Sequence, residues 1–255
     1  MPIIQSVERA LQILDLFNDH TTELKITEIS DQMGLHKSTV HSLLKTLQAS
    51  RYMDQNPENG KYRLGLKLVE RGNLVINTLN IRQIANKYLV ELAQRTGQTC
   101  HLGILDGKAG VYIDKEEGAN SVIRYSRIGR RIPLHCTAIG KTLLAYQKPE
   151  IVDELLTKYL FEQATNRTIT TKEALLTELE KVREKEYAVD DQENELGVRC
   201  IAVPIINQHK QILAALSIST LVSRVDDDTL EDYIQLLKKT GNELSEEMRY
   251  GVPIK

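Results

Sequence analysis

The stretch ITEISDQMGLHKSTVHSLLKTL, residues 26–47, constrains the fold more than any other part of the chain. Apolar residues recur at helical spacing on both sides of Gly34, which is the residue type that turns a chain through a left-handed backbone. The pattern predicts a first helix capped by Thr27 with Ile26, Ile29 and Met33 inward, then a second burying Leu35, Val40, Leu43, Leu44 and Leu47. The second helix then shows Lys37, Ser38, Thr39, His41, Ser42 and Lys45 to solvent. Short polar and basic side chains with no acid among them suit a DNA major groove. The same residues also fit an ordinary helical hairpin with a polar surface.

The flanking sequence favours DNA. SVERALQILDLF, residues 6–17, reads as a helix capped by Ser6, with Val7, Ala10, Leu11, Leu14 and Phe17 packing across the helix pair. After Leu47, two short extended runs, Arg51 to Asp54 and Lys61 to Leu64, flank Pro57 and Asn59-Gly60, a hairpin signal. Three helices followed by a hairpin make a winged helix-turn-helix, with Lys61 and Arg63 on the wing. Between Met33 and Lys67 the bases Lys37, Lys45, Arg51, Lys61, Arg63 and Lys67 face only Asp54 and Glu58. The whole chain carries a formal charge of −2. A basic patch on a near-neutral chain fits a selective binder with a limited phosphate footprint rather than an indiscriminate one.

No apolar run is long enough to span a membrane, and MPIIQSVERA lacks the form of a signal peptide, so the chain is expected in the cytoplasm. Cys100, Cys136 and Cys200 are widely spaced and odd in number, which suggests neither a disulfide framework nor a zinc site, and no cofactor is indicated.

Residues 66–79 read as a helix with a possible break at Arg71-Gly72, and Ile81 to Arg95 as a clearer amphipathic helix ended by Gly97. These segments connect two domains, and an apolar linker helix also offers a dimer contact. From Thr99 the pattern changes. TCHLGIL and GVYIDKE flank Asp106-Gly107 as a second hairpin, and Val122 to Arg127 is a further short strand. Thr137 caps a helix over AIGKTLLAY, Lys172 to Glu186 is a charged surface helix, VRCIAVPII and QILAALSIS are adjacent buried strands, and Asp227 to Met248 is a closing helix. Hairpin-paired strands with flanking helices make an α+β domain around an antiparallel sheet, a shape that holds small ligands.

SVERALQILDLF, GLHKSTVHSLLKTL, IPLHCTAIGKTLLA, GVRCIAVPI and LSIS, in this order and spacing, resemble the IclR-type transcriptional regulators over essentially the whole chain. The resemblance implies a winged helix-turn-helix DNA-binding domain at 3–66 (helix-turn-helix 26–47), a linker helix at 67–80, and a GAF-like effector domain at 81–252. It also implies assembly as a homodimer or dimer of dimers on double-stranded operator DNA. Within the family, SRIGRRIPL, NRTIT and VREKEYAVDDQENELGVRCIAVP are most similar to regulators that answer to 2-keto-3-deoxygluconate and control pectin and hexuronate breakdown. The chain departs from many relatives in carrying Ser42 where they have Arg, and Thr220-Leu221 after Ser219 where they have a small residue and glycine.

Family effector positions carry over to Ala138, Ile139, Asp190, Cys200, Ser217 and Ser219. Their chemistry suits a small carboxylate: N–H groups at a helix start attract an anion, and two serines alternating with Ile218 share one face of a strand. Arg124, Arg127, Arg130 and Arg131 crowd the approach, and Arg124 and Arg127 are the candidates for a bidentate carboxylate clamp. Asp190 is either a hydrogen-bond acceptor for the ligand or a loop cap. A cysteine hydrolase using Cys136 or Cys200 is disfavoured, because neighbours on a strand such as His135 and Cys136 point to opposite faces. The resulting expectation is a non-enzymatic repressor of sugar-acid catabolism. The alternatives are an IclR-type regulator answering to another keto acid or an aromatic acid, and a sensor acting through protein contacts.

Overall fold

The computed structural model describes residues 3–121 and 126–250, and the chain divides into two compact units between Thr78 and Leu79. In the first unit, α1 (Gln5–Asp15), α2 (Ile26–Met33) and α3 (Lys37–Ala49) precede a hairpin of β1 (Met53–Gln55) and β2 (Tyr62–Leu64) and then α4 (Lys67–Asn77). Ile13, Phe17, Leu24, Ile29, Val40, Leu44, Met53 and Tyr62 form its core. Gly34 ends α2 at φ 61°, ψ 32°. Ser30 ties the turn shut by donating its hydroxyl to the Leu35 carbonyl at 2.5 Å.

Three local expectations change. Thr27 lies inside α2: Lys25 is the extended residue before it, and Glu28 reaches back to accept the Lys25 N–H at 2.6 Å. Ser6 likewise lies inside α1, which starts one residue earlier, after Ile4. Val7 and Leu11 are 53% and 56% exposed, because α1 turns Ile13 onto the core instead, with the expected Phe17 buried just past the helix end. The helix α4 runs through Gly72 without a break.

The second unit carries α5 (Asn80–Thr96), β3 (Thr99–Asp106), β4 (Ala109–Glu117), β5 (Arg131–Ile132), α6 (Ala138–Ala145), α7 (Pro149–Leu156) and α8 (Lys172–Lys185). It ends with β6 (Ala188–Asp191), β7 (Val198–Ile206), β8 (Ile212–Leu221) and α9 (Asp227–Tyr250). Its sheet has the order β5-β4-β3-β8-β7-β6, and every neighbouring pair is antiparallel. The fold class is α+β, as expected. Of the strand expected at Val122 to Arg127, residues 122–125 lie outside those described, and 126–127 are not in a strand. The sequence reading had no counterpart for α7, β5 or β6. The expected surface helix α8 buries Leu175, Leu179 and Val182.

Strand alternation gives the sheet two working faces. Leu102, Ile201, Val203, Leu216 and Ile218 pack on α5 and α9. The opposite face meets α6 through Ala202 and Ala215. There Gly103 lets α6 lie directly on β3, since a Cβ would meet Ile139 Cγ2 at 2.8 Å. Thr137 caps α6 by accepting the Gly140 N–H at 3.0 Å, and its hydroxyl donates to the Pro133 carbonyl at 2.6 Å. Thr137→Ala is expected to cost about 1 kcal/mol, read from urea denaturation. A loss of under about 0.3 kcal/mol contradicts that role.

Candidate functional sites

On α3, Lys37, Ser38, His41, Ser42 and Lys45 are exposed and Thr39 is half-buried, so the expected DNA-facing residues share one polar surface. Ser42 donates its hydroxyl to the Ser38 carbonyl at 3.1 Å, which leaves its oxygen as an acceptor. The hairpin β1–β2 presents Lys61 and Arg63 as the wing. Arg63 stands opposite Asp54 across the ladder and pairs with it at 2.9 Å, so part of its charge is already neutralised and Asp54 is held below the usual carboxylate range. The wing loop is fixed by Glu23, whose two oxygens accept from Asn56 at 3.0 Å and Asn59 at 2.9 Å. Sequence periodicity gave no sign of that brace, because it spans more than thirty positions.

In the second unit a cavity opens between α6 and the sheet. Ala138 and Ile139 line it from the first turn of α6, Asp190 from β6, Cys200 from β7, and Ser217 and Ser219 from β8. These six expected effector positions converge. The N–H groups of Gly140 and Lys141 are taken by Thr137, while those of Ala138 and Ile139 precede the helix's own ladder, and both residues line the cavity at the positive end of the helix dipole. Ser219 accepts from the Cys200 thiol at 3.2 Å.

The arginines fall differently. Arg124 lies outside the described residues. Arg127 is exposed and is not on the cavity wall; Arg130 is. Both arginines are exposed and are joined by a turn through Gly129 at φ 86°, and of the two it is Arg130 that contributes to the cavity lining.

Asp190 is both a wall and a cap. Its Oδ1 accepts the N–H groups of Glu193 at 2.8 Å and Asn194 at 3.3 Å, bracing the loop that adds Asn194 and Glu195 to the lining. Burial pushes its carboxyl up to about 7, and the Glu193 charge adds to this against those two hydrogen bonds. Thr165 and Thr168 hold the same loop, donating to the Gln192 and Glu193 carbonyls at 2.7 and 2.6 Å. Lys141, fully buried on α6, pairs with Glu193 at 2.5 Å. His101, Tyr112, Ser126 and Lys141 were not among the expected site residues. Thr220 alternates away from Ser219 and donates to the Arg199 carbonyl at 2.9 Å, so of the two departures at Thr220-Leu221 it is Leu221 that shares a strand face with the serines.

The arrangement does not make a cysteine nucleophile. Burial pushes the Cys136 thiol up to about 12 and raises Cys200 as well. His135 is spent on the Tyr159 hydroxyl at 3.1 Å and the Glu162 carbonyl at 3.0 Å.

Residues 6–57 match the IclR helix-turn-helix domain, and residues 73–246 match the bacterial transcriptional regulator IclR C-terminal domain. The chain belongs to the IclR family. It is 58% identical to the HTH-type transcriptional regulator XynR of Escherichia coli K12 over 98% of this chain and 99% of that protein. It is 38% identical to KdgR of the same organism, over 97% of this chain and 94% of the relative. The IclR crystal structure from Thermotoga maritima superposes with a TM-score of 0.77 at 34% identity, covering 96% of this chain and 99% of that one. This IclR-family chain is therefore a DNA-binding transcriptional regulator and not an enzyme. Among the described residues no helix is long and apolar enough to cross a membrane.

Proposed function

We propose that the chain represses genes of sugar-acid catabolism, of the pectin and hexuronate kind, and that a small carboxylic acid such as 2-keto-3-deoxygluconate modulates its operator binding. The observation carrying this reading is the cavity itself: a helix N-terminus for a carboxylate, with serine, asparagine and carboxyl groups around it for keto and hydroxyl oxygens. The 38% identity to KdgR is in keeping with the resemblance of SRIGRRIPL, NRTIT and VREKEYAVDDQENELGVRCIAVP to regulators that answer to 2-keto-3-deoxygluconate. A homodimer or dimer of dimers meets paired half-sites, and the exposed apolar residues Ile4 just before α1, Val7 and Leu11 on α1, and Val69 and Val75 on α4 offer surface for a second copy. The effector acts only if it binds the DNA-competent and DNA-free arrangements unequally, and operator DNA then alters effector affinity by the same factor.

An operator selected from a random duplex library, titrated with protein and 2-keto-3-deoxygluconate, tests this. A shift in operator affinity supports the reading; unchanged affinity and stoichiometry at saturating acid defeats the effector assignment. Pyruvate and benzoate serve as comparison arms. In the same assay Lys45→Ala is expected to lower the slope of log K against log salt by about 1, and Arg63→Ala by less because Asp54 already pairs with it. A flat salt dependence in the unaltered protein points instead to a sensor working through protein contacts.

A further inference from the structure

His101 is a buried titratable group on the cavity wall that the reading above does not use. It sits on β3 opposite Ser217, is 1% exposed, and stacks on the Tyr112 ring at 4.5 Å between centroids. Both ring nitrogens have hydroxyl neighbours: Nε2 lies 2.7 Å from Ser126 Oγ, and Nδ1 lies 3.5 Å from Ser219 Oγ. We propose that His101 is a positioning residue of the effector site, holding the Ser219 hydroxyl so that its proton points into the cavity toward an effector oxygen that accepts hydrogen bonds. The inference rests on the effector reading and deepens it by assigning the site a donor and what sets its direction.

The argument is a count of protons and lone pairs. Burial keeps the ring neutral at physiological pH, so one nitrogen donates and the other accepts. With the proton on Nε2, Ser126 accepts from the ring, the bare Nδ1 draws the Ser219 proton to itself, and the hydroxyl proton left for the cavity is that of Ser126 rather than Ser219. With the proton on Nδ1, the ring donates to Ser219 Oγ, and Ser126 donates to Nε2. Ser219 Oγ then accepts from Nδ1–H and from the Cys200 thiol, which stands 3.2 Å away. Both its lone pairs are used, and the hydroxyl proton has only the cavity to point to. A carboxylate or keto oxygen at the start of α6 is the acceptor that completes this arrangement, so effector binding selects the Nδ1–H tautomer. The 3.5 Å separation is long for such a bond and is expected to shorten when the effector is present.

The test uses the full chain with ¹⁵N-labelled histidine, probed with 2-keto-3-deoxygluconate and with pyruvate as the simplest 2-keto acid. On saturation, Nδ1 of His101 should resonate as protonated and Nε2 as bare. Asparagine places an amide N–H near the Nδ1 position and glutamine places one near Nε2. His101→Asn should therefore keep affinity within about three-fold, while His101→Gln loses about ten-fold, roughly one hydrogen bond. Equal thermal stability of the two variants separates positioning from packing. If an acid binds while His101 keeps its proton on Nε2, or if the two variants bind alike, the tautomer assignment is wrong and the effector reading stands. If neither acid binds, the effector reading falls and takes this inference with it.

Discussion

Replacing Lys141 by alanine is expected to destabilise the effector domain by about 3–5 kcal/mol, the usual cost of removing one member of a buried ion pair. Lys141 is fully buried, although it lies on a helix only eight residues long. Its Nζ donates to the Val189 carbonyl and to Glu193, with Glu178 at 3.7 Å. The cost lies mostly in what is left behind. Glu193 is itself nearly buried, its Oε2 already has no hydrogen-bond partner, and burial pushes its carboxyl up even with the lysine present. Without Lys141 that carboxylate must take a proton or drag its loop toward water. The same loop clamps Asp190 through the Glu193 and Asn194 N–H groups, so effector affinity should fall along with stability. A double variant, Lys141→Met with Glu193→Gln, removes both charges at similar volume and should recover most of the loss. Urea denaturation of the three proteins decides: a Lys141→Ala loss under about 1 kcal/mol, or a double variant no better than the single one, contradicts the account.

Lys141 also shows where sequence reasoning stops. In AIGKTLLA a lysine reads as the solvent face of an amphipathic helix, yet α6 is covered all round and its ion-pair partner is 52 positions away. What was legible was local or periodic. Gly34 with its flanking apolar spacing placed the helix pair, and the alternation of Ser217 with Ser219 placed two cavity residues on one face. Thr137 announced its helix by a cap that forms three residues away. AVDD has too few residues to show a period, so the sequence leaves Asp190 open between ligand acceptor and loop cap; the structure shows the cap and places the residue on the cavity wall. The choice of Arg130 over Arg127 depends on a turn through Gly129, and no count of arginines could make it. His101 lies in the legible strand TCHLGIL, but its two hydroxyl neighbours come from different segments, at Ser126 and Ser219.

Asp190 should make the stability of the effector domain fall as pH rises. Its carboxyl titrates at about 7 in the folded chain against an ordinary 3.8, chiefly because of burial. Below the ordinary value the group is protonated in both states and costs nothing. Between the two values the unfolded chain gives up the proton that the folded chain keeps, so stability drops by about 1.4 kcal/mol per pH unit. Above about pH 7 both states are ionised and the full penalty, about 4 kcal/mol, is in place. Other carboxyls of this domain work in the opposite direction: Asp191 and Glu247 are held low by basic partners and stabilise the fold above their ordinary range. The diagnostic is therefore the difference between the chain and its Asp190→Asn variant. The amide keeps an oxygen for the Glu193 and Asn194 N–H groups and cannot ionise, so the variant should gain on the unaltered protein steadily from pH 4.5 to 7 and then hold its lead. A carboxylate effector beside Asp190 brings a second negative charge into the cavity and favours the neutral acid. Its affinity should then weaken above pH 7 by up to about ten-fold per unit in the unaltered chain and stay flat in the variant. Urea denaturation at several pH values, with effector titrations alongside, reads both trends. Parallel stability curves for the two proteins would mean that Asp190 is already ionised in the fold at pH 5.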